Sequence, residues 1–289
     1  MWETSRRLAV TAPIASIVSL EQHRAMLLGA NITSASSFRC TERFWDEELI
    51  DFVELMVDGF IHLDPDEVAC ELRGKPVAFH IMTSRFLHRS SDELKRLARL
   101  VRLWIDRLRP IYVSDHLGIH AINGQLLPDM MEANYADPNL ITLIARWRDL
   151  LDCKLILENF PSVSVGYTGQ VGFFETLQQR TGVEPLFDFS NAMIAEMNGA
   201  DEARAWLNSS IRFSACHISG YRAAECDSRI IVDSHDCEVS ADSWMFLQDA
   251  ILRGKAPETL VVERDVRLSQ ASWGADLRRA RILCHNTAR

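Results

Sequence analysis

Eight short apolar, β-branched runs, each separated from the next by polar or helical segments, constrain this chain more than any other feature. They are LLGANIT (27–33), IDFVELMVD (50–58), PVAFHIM (76–82), IYVSD (111–115), KLILEN (154–159), VEPLFDFS (183–190), SIRFSACHIS (210–219) and TLVVERD (259–265). Helical patterning between them is plainest in SSDELKRLARLVRLWIDRL (90–108), LITLIARWRDLLD and SWMFLQDAILRG. Near-continuous apolar strands linked by helices imply a parallel sheet covered on its faces. Eight such units close into a (β/α)8 TIM barrel, for which about 250 residues are typical. A doubly wound open sheet is the rival, but the GxGxxG turn it often carries is absent after the first run. No repeat, low-complexity stretch or Pro/Gly/Ser-rich linker divides the chain. A single barrel domain over 27–289 is expected.

The remaining composition excludes more than it specifies. A net charge of −9 with no basic run makes nucleic acid a poor partner. The seven cysteines are scattered without a CxxC pair, which suggests a reducing, cytoplasmic setting. No apolar run approaches the roughly 20 residues of a membrane span. Arg6 and Arg7 before LAVTAPIASIVSL loosely resemble a signal peptide, but no clean cleavage site follows. Residues 1–26 read better as an N-terminal extension.

In a barrel, chemistry lies at the C-terminal ends of the strands. Those ends carry Glu54 and Asp58, His80, Asp115 and His116, Glu158 and Asn159, Asp188 with Asn191, His217, Asp233 and His235, and Glu263 with Asp265. One histidine on an apolar strand is more often a hydrogen-bonded core residue than a ligand, and one carboxylate is easily paired with an arginine such as Arg264. A whole set converging on one mouth is different. Too few lysines and arginines lie there to neutralise it, and buried carboxylates without cationic partners call for metal ions. Mixed imidazole and carboxylate donors suit zinc, iron or manganese. Eight or nine candidate ligands exceed the needs of one ion, so two or three ions are expected. Cys216, next to His217 on a strand, points to the opposite face.

The motifs FHIM, YVSDHL, LENFPS, LFDFSNA, CHISGY, VDSHD and VERD, taken together, resemble the DUF692 family of multinuclear non-haem iron-dependent oxidases, in particular its methanobactin-making branch. The resemblance runs from about residue 27 to about residue 280. It implies a xylose-isomerase-like barrel and the metal ligands His80, His116, Glu158, Asp188, Asn191, His217, Asp233, His235 and Glu263. It implies two or three non-haem irons, dioxygen as co-substrate, and Asp265 as a catalytic acid or base. Asp115 is a candidate to orient the neighbouring His116. Glu54 stands in VELMVDG, where the wider family has an acidic-Asn motif, and is left outside the ligand set. The implied reaction oxidises a cysteine of a ribosomally made precursor peptide, with its preceding residue, to an oxazolone and a thioamide. A small leader-recognition partner protein is implied too, with strand addition as one docking mode.

Three other readings compete. A zinc phosphodiesterase of the endonuclease IV type is disfavoured by the acidic charge and by Asn191 where a histidine is expected. A sugar isomerase would need a lysine at the mouth, and Lys154 begins its strand. A scaffold that only docks peptide would not need a full ligand set. Phe160–Ser162 and GYTGQVG (166–172) read as either a substrate loop or a plain connection. RLVRLWIDRL (99–108) reads as an outer barrel helix by its spacing.

Overall fold

The computed structural model of the protein describes residues 26–122, 124–163 and 168–286. The expected N-terminal extension therefore lies, apart from Met26, outside the described residues, as do residues 166 and 167 of the GYTGQVG stretch.

Eight parallel strands close into a barrel: β1 (Leu27–Ile32), β2 (Phe52–Met56), β3 (Val77–Ile81), β4 (Val113–His116), β5 (Leu155–Glu158), β6 (Glu184–Asp188), β7 (Ala215–Ile218) and β8 (Thr259–Val262). Each strand pairs with its neighbours in sequence, and β8 closes on β1. Seven strands fall within one of the apolar runs and β4 ends one residue beyond its run, at His116, and the barrel expectation holds. The seventh run begins too early: Ser210–Ser214 is irregular backbone and the strand opens at Ala215.

The helices cover the outside by the logic of their sequences. In Ser91–Leu108, Ser90 and Glu93 form a capping box, satisfying backbone donors that would otherwise be orphaned. Leu94, Ala98, Val101 and Trp104 recur at helical spacing and are buried, while the helix stops at Arg109 in the left-handed region (φ 49°). This is the outer helix read from residues 99–108. An indole further round ties helix to sheet, with Trp273 Nε1 donating to the Val262 carbonyl at 2.9 Å.

Inside the barrel the side chains stack in layers. The lower layer is apolar: Phe52, Ala78, Tyr112, Ile156, Leu186, Ala215 and Val261 pack together, with Leu27 against them. Gly29 makes room for this layer, because a Cβ there would sit 2.6 Å from the Phe52 ring. Successive strand residues alternate faces, so residues two further on point into the same barrel one level higher.

Two antiparallel hairpins rise from the C-terminal rim. One pairs Gly118–Ile122 with Gln125–Glu132 after β4, and the other pairs Tyr221–Ala223 with Ile231–Asp233 after β7. Neither was legible as a strand run, and VDSHD, read as a loop, begins inside the second. The Asn-Gly pair at 123–124 is the turn signal that the sequence offers for the first.

Candidate metal centre

Moving up two residues from each member of the lower layer gives Glu54, His80, Ser114, Glu158, Asp188, His217 and Glu263, and all seven are buried. The strands are staggered, and register sets His80 beside Ser114 and Asp188 beside His217, with His116 brought next to Glu158. The barrel therefore changes from wholly apolar to almost wholly ionisable within one pleat.

Two ligand groups emerge. Donor atoms of His80, His116 and Glu158 lie within 4.8 Å of one another, and so do those of Glu158, Asp188, His217 and Glu263. Glu158 belongs to both. The remaining expected ligands line the same cavity without closing into a third group of that tightness. His235 Nε2 sits 2.7 Å from Asp233 and 3.8 Å from Glu263. Asn191 donates to Glu158 Oε1 at 2.9 Å, and its amide oxygen has no partner.

Each histidine is anchored through one ring nitrogen, which points the other toward the carboxylates. Ser114 Oγ donates to the Phe79 carbonyl, so His80 Nδ1 must donate to Ser114 (2.7 Å), leaving Nε2 turned to Glu158 at 3.5 Å. His116 Nδ1 faces the Ile81 carbonyl at 3.2 Å, and its Nε2 lies 3.0 Å from Glu158. His235 Nδ1 meets Asp265 at 2.9 Å, which frees Nε2. His217 lies between two carboxylates, with Nε2 2.9 Å from Glu54 and Nδ1 3.0 Å from Glu263. Metal-binding histidines are ordinarily fixed in this way, with the second nitrogen donating to an oxygen that sets tautomer and ring orientation.

Glu54 is thus the residue that sequence reasoning left out. It is fully buried, accepts from Tyr112 Oη at 2.7 Å and stands against His217. Counting two residues up from Phe52 finds it. Asn31 is a second omission: its amide donates to Asp265 at 2.7 Å and its carbonyl oxygen accepts from the Arg264 backbone. Asp265 is consequently held on both sides, by Asn31 and by His235. Asp115 differs from expectation. It faces outward, accepting from Trp147 Nε1 and from the His116 backbone at 2.8 Å each, so it fixes the strand end while the Ile81 carbonyl orients the ring. Arg264 turns away from the centre to Asp276 at 2.9 Å, and Asp58 holds the backbone of Met82 and Thr83. Phe160–Ser162 is pinned: Gln170 bonds both backbone groups of Phe160 and the Ser162 hydroxyl.

The electrostatics of the site follow from burial and from the crowding of its carboxylates. Burial and the nearby carboxylates of Asp233, Glu158 and Glu263 push Asp188 well above the carboxylate range. Burial likewise raises Glu263, against the pull of His217. Burial lowers His80 to about 4, with His116 adding to the effect. For His116 burial works downward too, but the Glu158 carboxylate prevails and lifts the ring to about 9. Asp188 Oδ2 and Asn191 Oδ1 are buried and without a hydrogen-bond partner, while His217 Nδ1, His235 Nε2 and Glu263 Oε2 face charged neighbours at 2.7–3.0 Å without hydrogen-bond geometry. Orphaned buried polar atoms are costly, and these converge on one cavity. The donor set fits metal ions.

The chain matches the model of the RiPP precursor modification enzymes MbnB/TglH/ChrH over residues 38–282. It belongs to that family. Its relatives within reach of sequence include a UPF0276 protein of Rhizorhabdus wittichii, 28% identical over 227 residues, covering 75% of this chain and 80% of the relative. A UPF0276 protein of Caulobacter vibrioides is 28% identical over 236 residues, covering 77% and 82%. Among solved structures, D-allulose 3-epimerase from Methylomonas sp. superposes with a TM-score of 0.60 at 12% identity, covering 90% of this chain and 98% of the other. A xylose isomerase-like TIM barrel protein from Mycobacterium smegmatis gives 0.54 at 11% identity, covering 93% and 100%. At such identities these structures speak for the fold alone. A peptide-modifying enzyme built on a xylose isomerase-like barrel accounts for both comparisons. As in any such barrel the centre sits at the C-terminal mouth. Among the described residues no helix is long and apolar enough to cross a membrane.

Proposed function

We propose that this RiPP-modifying enzyme is a multinuclear iron-dependent, dioxygen-using oxidase of cysteine in a ribosomally made precursor peptide, giving oxazolone and thioamide as in methanobactin-type chelators. The observation that carries the reading is Glu158, shared between two groups of buried donors within 4.8 Å. A carboxylate so placed is suited to bridge two ions. The imidazoles in both groups favour iron or zinc over magnesium.

His80, His116 and Glu158 would hold one ion, and Glu158, Asp188, His217 and Glu263 the other, with Asp233, His235 and Asn191 beside them. Iron there would supply a position for the substrate thiolate and for the reduction of dioxygen. Removing four electrons and four protons from the peptide reduces one dioxygen to two waters. The chain's own groups fix the imidazoles, keep the floor dry through the apolar layer below, and place the Asp265 carboxylate at the cavity edge to accept a proton. Asn31 and His235 hold Asp265 below its ordinary range despite its burial, so it stands ionised as a base.

The leader peptide is presented, in this reading, by a small partner protein. Both rim hairpins have strands paired on one edge only among the described residues, which supports strand addition. Among the described residues no lysine or arginine lines the cavity, which speaks against a phosphodiester substrate. The test is to load the protein with iron anaerobically and add precursor peptide, partner and dioxygen. Loss of four hydrogens per modified cysteine by mass spectrometry is expected; an unmodified peptide alongside hydrolysis of a phosphodiester would overturn the assignment.

A further inference from the structure

The layering that builds the metal centre continues one step higher. Two residues on from Glu54, His80 and Glu158 come Met56, Met82 and Phe160, and all three line the cavity of about 350 Å3 above the ligands. Pro161 and Val232 extend this ring, and Met130 of the first hairpin completes it. The entrance to a strongly ionisable centre is thus an apolar collar with three thioethers. Thioethers are flexible and polarisable, and pack against varied apolar shapes.

Met130 is seated there by a specific device. A Cβ on Gly118, in the opposing strand of the hairpin, would lie 2.1 Å from Met130 Sδ and 2.2 Å from its Cγ. Gly118 has no need of unusual backbone freedom: it is the groove in which the Met130 side chain rests. The hairpin in turn is tied to the rest of the rim through Glu132, which accepts from Ser162 Oγ at 2.6 Å.

We infer that this collar is the subsite for an apolar side chain immediately preceding the cysteine to be oxidised, with Met130 setting the size that it admits. The inference rests on the thiol-peptide reading above and adds a sequence preference to it. A peptide whose cysteine reaches the ligand layer must thread the collar, so the adjoining side chain is desolvated against thioether and ring carbons. A polar neighbour of equal size loses water there and meets only the thioether, ring and aliphatic carbons of the collar side chains. A bulky ring collides with Met130, whose side chain already lies against the Gly118 backbone of the opposing strand.

The experiment uses cobalt(II)-loaded protein and short blocked peptides in which leucine, glutamine or tryptophan precedes the cysteine. Binding is read from the thiolate-to-cobalt absorption band, without turnover. Leucine should bind at least about tenfold more tightly than glutamine, and tryptophan should bind weakly. Met130→Ala should keep its full metal content, reduce the preference for leucine over glutamine about threefold or more, and admit tryptophan. Gly118→Ala, which displaces the same side chain without removing it, should shift the profile in the same direction. Equal affinity for leucine and glutamine, or an unchanged profile in Met130→Ala, would overturn the collar inference while leaving thiol binding intact. No absorption band with any peptide, while the cobalt remains bound, would overturn the thiol reading and the inference with it.

Discussion

The lower and upper inner layers of the barrel come from the same strands, two residues apart, and obey opposite rules. Phe52, Ala78, Ile156, Leu186, Ala215 and Val261 are stable by exclusion of water alone. Glu54, His80, Glu158, Asp188, His217 and Glu263, equally buried, hold together only while charge is balanced. The lower layer needs no ligand and sets the geometry. The upper layer borrows that geometry to hold donor atoms in place. Binding a cation to the native state then stabilises the fold by mass action.

The two layers can be perturbed separately. The largest effect is expected from Glu158→Ala, which removes the donor shared by both groups. It should cost more than the 10- to 100-fold in metal affinity that loss of an outer partner typically costs, and should abolish peptide oxidation, checked by elemental analysis and mass spectrometry. Next comes Ile156→Ala, two residues below. It should lower stability by about 2–5 kcal/mol in denaturant titration while the folded fraction keeps its metal. Loss of metal there without loss of stability would mean the layers are not separable.

Glu54→Gln sharpens the division within the upper layer. Glu54 orients His217 and belongs to neither ligand group, so the variant should weaken metal binding about 10- to 100-fold without eliminating it. The smallest effect concerns the rim. Burial raises Glu132 to about 7, against hydrogen bonds from Ser162 and Tyr135. Its folded value exceeds its unfolded one, so the native state binds the extra proton, and this contribution to stability falls as pH rises from about 4.5 to 7. Glu132→Gln should flatten that part of the stability profile. An unchanged slope would place the proton elsewhere.

The division also explains what could be read from sequence. The lower layer follows from apolar runs, and all eight strands were visible because burial on both faces leaves an uninterrupted hydrophobic signature. The expected donors at the strand ends were visible as charges interrupting those runs. Glu54 escapes a motif-based reading because its neighbours depart from the family pattern, although its distance from Phe52 marks its direction. The anchors were beyond reach: Ser114 for His80, the Ile81 carbonyl for His116, and Tyr112 for Glu54 are made between strands, and linear sequence carries no trace of such pairs. The rim hairpins were missed because exposed, two-stranded ribbons need no apolar run.

The most direct test of the account is the metal content of the protein after anaerobic iron loading, measured beside Glu158→Ala. At least two irons per wild-type chain are expected, from the two ligand groups among the described residues, with loss of most of that iron in the variant. A wild-type chain that retains no metal, or a Glu158→Ala variant that keeps the full complement, would contradict it.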